Sequence, residues 1–293
     1  MGKVRLNNGA LTVEIAAKGA EPQSILDAAG REWLWQGDPA FWEGRAPILF
    51  PIVGRAAHNH IRVDGTDYPL GQHGFARDLP FDLISAAGDT AHFRLSADAA
   101  TKRSYPFDFQ LDITFALAGA MLMQTVRISN AGAEPMPAAI GFHPAFQWPL
   151  PGADAPQTRH VLVFERAESA DIRRLKDGGV DPVGRPTPVE GKVLALDPAL
   201  FVEDALILDR LESRSLWFGV PGADGLRVDF PDCPFLGIWT KPGAPFLCIE
   251  PWQGHAAPLG FSGAFSQMPG VVTLAPGASI ARHLMLRIGA PSP

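Results

Sequence analysis

The chain has 293 residues, of which 46% are hydrophobic, and its formal net charge is −6 at pH 7. This apolar content can fill a large core, and the mildly acidic charge argues against nucleic acid and against an anionic membrane as partners. No apolar run reaches the roughly 20 residues that a spanning helix needs. The N-terminal residues lack the apolar region of a signal peptide. Two cysteines, Cys233 and Cys248, then predict reduced thiols and a cytoplasmic location.

Strand-like segments dominate the chain. They alternate apolar and polar residues or are rich in β-branched and aromatic residues, and turn residues separate them. The segments are LTVEIA (11–16), AHFRLSA (91–97), FQLDITFAL (109–117), LMQTVRIS (122–129), HVLVFER (160–166), SLWFGV (215–220), LRVDF (226–230), FLGIWT (235–240), PFLCIEP (245–251) and SIARHLMLRI (279–288). The segments 109–117 and 122–129 are typical of a hairpin with a short Ala-Gly turn. Helical periodicity is scarce, so the sequence predicts an all-β fold.

Two stretches rich in glycine and proline are candidate linkers, LPGADAPQTR (150–159) and KDGGVDPVGRPTPVEGK (176–192). Strand-like segments continue in the same style after both. We therefore interpret them as long loops of a single domain over residues 1–293. DPAFWEGR (38–45) and DPALF (197–201) have an aspartate before a proline, which predicts single capped helical turns.

Three short stretches place polar side chains in apolar or glycine-rich surroundings. The first covers residues 51–81. In it, His73 precedes Gly74, a residue that lets a ligand approach the backbone closely. Arg77 follows, and Arg55 comes after the glycine that ends the apolar run ILFPIVG.

The same stretch contains the tripeptide HNH, which resembles a pair of metal ligands. His58 and His60 do not fit the metal-binding templates, because HExxH and CxxC motifs are absent from the sequence. We interpret them as part of a polar turn, and the sequence predicts no metal site.

The second stretch, AIGFHPAFQW (139–148), places His143 between aromatic residues. Three interpretations are open: core filling with a satisfied nitrogen, a metal ligand, or a working acid or base. The third stretch, FLCIEPWQG (246–254), ends an apolar strand with Glu250. A buried carboxylate there is costly unless it is paired or functional, and the alternative is an edge carboxylate partnered by an arginine.

Two histidines and one glutamate thus come from three distant parts of an all-β chain, and a concave sheet could bring them together. A catalysed proton transfer needs a positioned base and a positioned acid. Histidine titrates near neutrality, and an apolar environment raises the pKa of a carboxylate toward the same range. These residue types suit acid and base catalysis without a metal or a redox cofactor.

The motifs PILFPIVGR, QHGFARD, GFHPAF and CIEPWQG together resemble the aldose 1-epimerase, or galactose mutarotase, family, and most closely its LacX-like branch. The resemblance extends from about Trp33 to the final strand. It implies a β-supersandwich fold (galactose mutarotase-like), the interconversion of α and β anomers of an aldose sugar, and no cofactor. A monomer or a homodimer fits it equally well.

The resemblance also implies roles for single residues. Glu250 would be the general base, His143 the general acid, and His73 a hydrogen-bonding partner of the sugar. Arg55 matches a substrate-binding arginine. Asp204 in FVEDALIL more loosely resembles a carboxylate that binds sugar hydroxyls.

Other positions bear on which sugar is bound. Trp252 beside Glu250 could stack on a sugar ring. Ala145 replaces an aromatic residue that is usual in this branch, which predicts a wider pocket floor. Arg77, and Lys241 after GIWT, would add positive charge if they face the site, because arginine binds phosphate through two hydrogen bonds. A hexose-6-phosphate 1-epimerase and a non-catalytic carbohydrate-binding protein are therefore the alternatives.

Overall fold

The computed structural model describes residues 2–293 and confirms an all-β fold with 24 strands and no α-helix in that range. Each of the ten predicted segments overlaps a strand. The strands are β1 (Lys3–Asn7), β2 (Leu11–Ala16), β3 (Glu21–Asp27), β4 (Ile48–Leu49), β5 (His60–Val63), β6 (Thr66–Pro69), β7 (Asp82–Ala87), β8 (Thr90–Ser96), β9 (Phe109–Ala118), β10 (Met121–Asn130), β11 (Met136–Ala138), β12 (Gly141–Phe142), β13 (Ala145–Gln147), β14 (Val161–Phe164), β15 (Leu175–Lys176), β16 (Gly179–Val180), β17 (Val193–Ala195), β18 (Leu206–Leu208), β19 (Ser215–Gly219), β20 (Gly225–Asp229), β21 (Phe235–Trp239), β22 (Phe246–Trp252), β23 (Val272–Leu274) and β24 (Ser279–Ala290).

Short 3-10 helices connect some of the strands. They span Ala57–Asn59, Ala76–Asp78, Thr101–Arg103, Gln157–Arg159, Pro198–Phe201 and Phe265–Gln267. The one in DPALF is the capped turn that the sequence predicts, because the Asp197 side chain accepts a hydrogen bond from the Ala199 N–H at 2.8 Å. DPAFWEGR instead forms a single hydrogen-bonded turn without a helix, in which the Trp42 N–H donates to the Asp38 carbonyl at 2.9 Å.

The larger sheet has nine strands in the order β17-β14-β19-β20-β24-β10-β9-β8-β7, with antiparallel pairs throughout. The predicted hairpin is present within it: Ala118 pairs with Met121, which leaves Gly119 and Ala120 as a two-residue turn. The strands alternate between faces. One face of β9, with Leu111, Ile113 and Phe115, belongs to the main core.

The smaller sheet has the order β18-β21-β22-β12-β4, and β13 also pairs with β22. All seven residues of β22 are buried. Leu247 and Ile249 point into the core that this sheet shares with the larger one. By the same alternation, Phe246, Cys248, Glu250 and Trp252 lie on the opposite face. That second face is covered by loops, and a carboxylate is therefore buried without entering the main core.

The two glycine- and proline-rich stretches are loops, as predicted, but the second begins with a small hairpin of β15 and β16. Cys233 and Cys248 are both buried and free, as the sequence predicts for reduced thiols. In the part of the chain that the structure describes, no helix has the length and apolar character required to cross a membrane.

Candidate active site

A cavity of about 270 Å³ lies on the loop-covered face of the smaller sheet. Six of the seven site residues predicted from the sequence line it: His73, Arg77, His143, Asp204, Glu250 and Trp252. They come from positions far apart in the chain, so the sheet does gather the three motifs in one place. The seventh, Arg55, lines an adjoining groove instead.

The pairing of strands places His143 opposite Glu250. Gly141 of β12 pairs with Trp252, and Ala145 of β13 pairs with Cys248. His143 lies midway between these two pairs, and Glu250 lies midway on β22. The His143 Nε2 and Glu250 Oε2 atoms are 3.2 Å apart, in side chains that are almost fully buried.

Pro144 and Gly141 hold His143 in this position. Pro144 interrupts the edge between β12 and β13, and its carbonyl accepts a hydrogen bond from the Ile249 N–H at 3.2 Å. Gly141 is required because a Cβ there would lie 2.7 Å from the Trp252 ring. The main chain on both sides of His143 is therefore fixed against β22.

Aromatic rings surround His143. Trp42 stacks on it with ring centroids 4.9 Å apart and an interplanar angle of 28°. The rings of Trp239 and His73 approach edge to face, at 6.1 and 5.6 Å. His143 Nδ1 is buried without a hydrogen-bond partner in residues 2–293. The ring is thus held by stacking on one side and by Glu250 on the other.

Burial shifts both members of the pair toward their neutral forms. It raises the pKa of Glu250 well above its ordinary value, and the charge of Asp204 raises it further, while the nearby Trp252 indole opposes the rise. Burial lowers the pKa of His143 to about 3, with a further contribution from the Arg77 cation. Burial therefore favours the neutral carboxyl and the neutral imidazole over a charged pair.

His73 enters the cavity from a tight turn. Its backbone is left-handed, with φ of +67°, and its Nδ1 accepts a hydrogen bond from the Gly54 N–H at 3.1 Å. In the neutral ring, Nε2 therefore carries the proton. Burial lowers the pKa of His73 well below its ordinary value, and the nearby His143, Arg77 and Arg55 add to this effect.

Gly74 serves a different purpose from the one expected from the sequence. A Cβ at this position would lie 2.1 Å from the Phe50 carbonyl oxygen, and φ is +72°. The glycine therefore permits a close approach of the protein's own backbone and not that of a ligand. The Phe75 N–H, which donates to the same carbonyl at 3.0 Å, fastens the turn to the end of β4.

Arg77 and Lys241 are the two cations that would add positive charge if they faced the site, and of these Arg77 lines the cavity. Arg77 lies in its wall and donates from Nη2 to the Gln72 carbonyl at 3.0 Å. Lys241 does not line the cavity: its Nζ donates to the carbonyls of Phe41 at 3.0 Å and Ala40 at 3.4 Å. Lys241 therefore fastens the turn that carries Trp42.

The prediction of a wider pocket floor at Ala145 is wrong. Ala145 is completely buried in a cluster with Trp35 and Phe246, and it does not line the cavity. Trp252 does line it. A Cβ at Gly237 of β21 would lie 2.3 Å from this indole, so the ring covers the neighbouring strand. The tryptophan makes an apolar surface beside Glu250.

Several lining residues were not identified from the sequence. Those with large or polar side chains include Trp42, Gln72, Leu175 and Trp239. Strand alternation could have found Trp239, because it shares a face of β21 with Gly237, the residue that pairs with Glu250. Trp42 and Leu175 lie in a turn and a short hairpin, for which the sequence carries no pattern that indicates a site.

Cys248 lies beside His143 and Glu250, and the three side chains together are a possible set of metal ligands. Donor atoms of His143, Cys248 and Glu250 lie within 4.8 Å of one another. Burial and the neighbouring Glu250 raise the pKa of the Cys248 thiol well above its ordinary value. A metal would need the thiolate, so this donor set fits an ion poorly. His58 and His60 lie outside the cavity, at an exposed turn as predicted.

Comparisons with known proteins show the family and the fold of this chain. The family model described as Aldose 1-epimerase matches residues 2–267. The chromosomal LacX protein of Lactococcus lactis subsp. lactis is 34% identical over 284 residues, which cover 93% of this chain and 95% of that protein. A galactose mutarotase-like protein from Lactobacillus casei superposes with a TM-score of 0.88 at 31% identity, with 98% and 100% of the two chains covered. A galactose mutarotase related enzyme from Lactobacillus acidophilus gives 0.89 at 27% identity, with 99% and 98% covered.

Proposed function

This chain belongs to the aldose 1-epimerase family, and we propose that it interconverts the α and β anomers of a hexose by acid and base catalysis. The observation that carries the proposal is the contact of 3.2 Å between His143 Nε2 and Glu250 Oε2. Both groups line a cavity with an apolar tryptophan surface and several hydrogen-bonding side chains. Carbohydrate-binding sites need the latter two features, but binding alone does not need a matched acid and base.

The proposed reaction begins with ring opening. The Glu250 carboxylate takes the proton from the anomeric hydroxyl, and the electron pair of that O–H bond forms the C=O bond of the aldehyde. The bond between the anomeric carbon and the ring oxygen breaks, and its electron pair goes to the ring oxygen. His143 supplies a proton to that oxygen. Rotation about the bond between the first two carbons, followed by the reverse steps, gives the other anomer and restores both side chains.

A single proton shared by His143 and Glu250 suits these reaction steps. The reaction needs one proton on the pair, placed on His143, whereas burial favours the neutral forms of both groups, with that proton on Glu250. Proton transfer across the 3.2 Å contact between the two groups gives the reactive form without a proton from outside. Hydroxyl groups of a bound sugar would solvate the resulting charges, and the electron-rich face of Trp42 would stabilise an imidazolium stacked on it.

Other lining residues would bind the sugar. His73, as an Nε2–H donor, would hydrogen-bond a hydroxyl and help to hold the developing negative charge. Trp252 offers its ring to the apolar face of the sugar. At the cavity mouth, Asp204 would accept hydrogen bonds from hydroxyls at the far end of the ring. Arg55 would donate hydrogen bonds to hydroxyls at the same end.

The test is anomer exchange followed by NMR. Exchange rates for glucose and galactose are measured with the wild-type protein and with Glu250→Gln. We expect exchange well above the spontaneous rate for at least one hexose, and near-spontaneous exchange with the variant. If no hexose or hexose phosphate showed anomer exchange above the spontaneous rate, the epimerase function would be refuted. Tight sugar binding without exchange would instead identify a non-catalytic carbohydrate-binding protein.

A hexose 6-phosphate is the second candidate substrate, because Arg77 lines the cavity. Lys241, the other cation considered, is bound to backbone carbonyls of the Trp42 turn. One guanidinium is a weaker site for a phosphate dianion than a cluster of cations. Faster exchange of glucose 6-phosphate than of glucose, abolished by Arg77→Ala, would favour the phosphorylated substrate.

A further inference from the structure

Arg174 lies outside the cavity, but its side chain holds the turn that carries Asp204. Its Nη1 donates to the Asp204 carbonyl at 2.7 Å, and its Nη2 donates to the Leu200 carbonyl at 2.8 Å. Asp204 lines the cavity, whereas Arg174 does not. We propose that Arg174 is a positioning residue for sugar binding, which acts by holding Asp204 at the cavity mouth. This inference rests on the proposed function.

The turn that carries Asp204 needs support from outside. It follows the 3-10 helix Pro198–Phe201, and the end of a helix leaves carbonyls without partners inside the helix. In residues 2–293, no backbone N–H donates to the carbonyl of Leu200 or of Asp204. The guanidinium of Arg174 carries its N–H donors in a fixed planar fork. It therefore satisfies both carbonyls at once and fixes the distance between the two sides of the turn.

The backbone of Asp204 makes this support important. Its φ is +68°, in the left-handed region that is disfavoured for residues other than glycine, although aspartate adopts it more readily than most. The Asp204 Oδ1 accepts a hydrogen bond from the N–H of Ala205 at 2.8 Å, and Ala205 also lines the cavity. A return of this φ to negative values would turn the carboxylate away from its present direction. The position of the carboxylate thus depends on the backbone that Arg174 holds.

Arg174 is itself anchored to the sheet that carries the catalytic pair. The N–H of its neighbour Arg173 donates to the Ile207 carbonyl at 2.8 Å, and the Ile207 N–H donates back at 3.1 Å. Ile207 belongs to β18, the edge strand of the sheet in which β21 and then β22 follow. Glu250 lies on β22. Arg174 therefore ties Asp204 to the same rigid sheet as Glu250, and a sugar between the two carboxylates meets groups at a fixed separation.

A second arginine at the same turn offers a matched control. The Nη1 of Arg185 lies 3.0 Å from the Glu203 Oε2, and both side chains are exposed. This contact is with a side chain of the turn and not with the carbonyls that Arg174 binds. Exposed ion pairs contribute little to stability. Arg185→Met therefore removes an arginine from this turn without releasing Asp204.

A double-mutant cycle tests the proposal. Anomer exchange is measured by NMR over a range of glucose and galactose concentrations for the wild type, Arg174→Met, Asp204→Gly and the double variant. Glycine suits the positive φ of position 204. We expect Arg174→Met to raise KM about three- to tenfold, as for the loss of a hydrogen bond, and to leave kcat within about twofold, because binding at the far end of the ring is uniform through the reaction.

The effect should disappear when the carboxylate is absent. In the Asp204→Gly background, Arg174→Met should change KM by less than about twofold, since residues that act through one another are not additive. Arg185→Met should change neither KM nor kcat. Thermal unfolding of each variant shows how much of any change comes from the folded fraction, which would lower the apparent kcat and leave KM unaltered.

The outcomes separate this inference from the proposed function. Exchange by the wild type with an unchanged KM in Arg174→Met would overturn the inference alone. An equal increase in KM with and without the Asp204 carboxylate would also overturn it, because Arg174 would then act by another route. A lower kcat and a lower unfolding temperature at constant KM would reduce Arg174 to a structural role. Absence of exchange by the wild type with every sugar would refute the epimerase function and the inference with it.

Discussion

His143 lies opposite Glu250 because β12 and β13 pair with the same strand, β22, on either side of Pro144. The 3.2 Å contact between the two side chains is thus determined by the register of backbone pairing and not by a flexible loop. Catalytic groups held on strands keep a more precise geometry than groups held on loops. Substitutions of these two side chains can therefore change the chemistry without disturbing the scaffold.

Glu250→Gln should abolish most of the anomer exchange. The amide is close in size to the carboxyl group but cannot take a proton, and a positioned base typically contributes about 10²–10⁴-fold. We expect a loss of that order in kcat, measured by NMR exchange, with an unchanged circular dichroism spectrum. A folded variant with wild-type kcat would show that Glu250 is not the base.

His143→Ala should also lose most of the exchange and remain folded with near-native stability, since Pro144 and Gly141 fix the backbone. The expected loss in kcat is again about 10²–10⁴-fold. His58→Ala, at an exposed turn outside the cavity, is the control and should be fully active. Full activity of His143→Ala would mean that this ring only fills space.

Much of this architecture follows from local sequence patterns. The ten predicted segments overlap strands because alternation has a period of two whatever the partner strand. The motifs around His73, His143 and Glu250 identified these residues as candidates. Their distance could not be predicted, because it depends on pairings between β12, β13 and β22 across more than 100 residues of chain.

Positions of side chains at loops were the least predictable. Lys241, which would add charge if it faced the site, binds carbonyls of the Trp42 turn instead. Ala145, which predicts a wider pocket floor, lies in an apolar cluster and does not line the cavity. Leu175 lies in a two-residue strand directly before the glycine- and proline-rich stretch 176–192, which the sequence predicts to be a loop. Such outcomes depend on how loops pack over the sheet, and no sequence periodicity records this packing.

Trp42→Ala should reduce activity more than Trp42→Phe. The indole stacks on His143 with centroids 4.9 Å apart, and stacked aromatic pairs contribute about 0.5–1.5 kcal/mol beyond buried area. Loss of this support should lower kcat/KM by about tenfold, whereas phenylalanine retains a ring and most of the rate. Exchange rates for the two variants and the wild type decide the order. Equal rates for all three would show that the stack does not orient or stabilise His143.

Removal of the buried carboxyl should change how stability depends on pH. The pKa of Glu250 is raised above its ordinary value of 4.5, so the folded state retains a proton that the unfolded state releases. The stability due to this group is fully present below pH 4.5 and is lost progressively as pH rises toward the raised pKa. Glu250→Gln has no such loss. Its free energy of unfolding, relative to the wild type, should therefore increase between pH 5 and pH 8, as measured by urea denaturation.

The same experiment with His143→Gln should give the opposite slope. The pKa of His143 is lowered from 6.5 to about 3, so its stability contribution is present above pH 6.5 and is lost as pH falls toward 3. The glutamine variant lacks this loss, and its relative stability should increase as pH decreases from 6.5 to 4. Parallel pH curves for the wild type and both variants would contradict the buried, neutral pair. The predicted sign of each slope would support it, because a surface ion pair would reverse both signs.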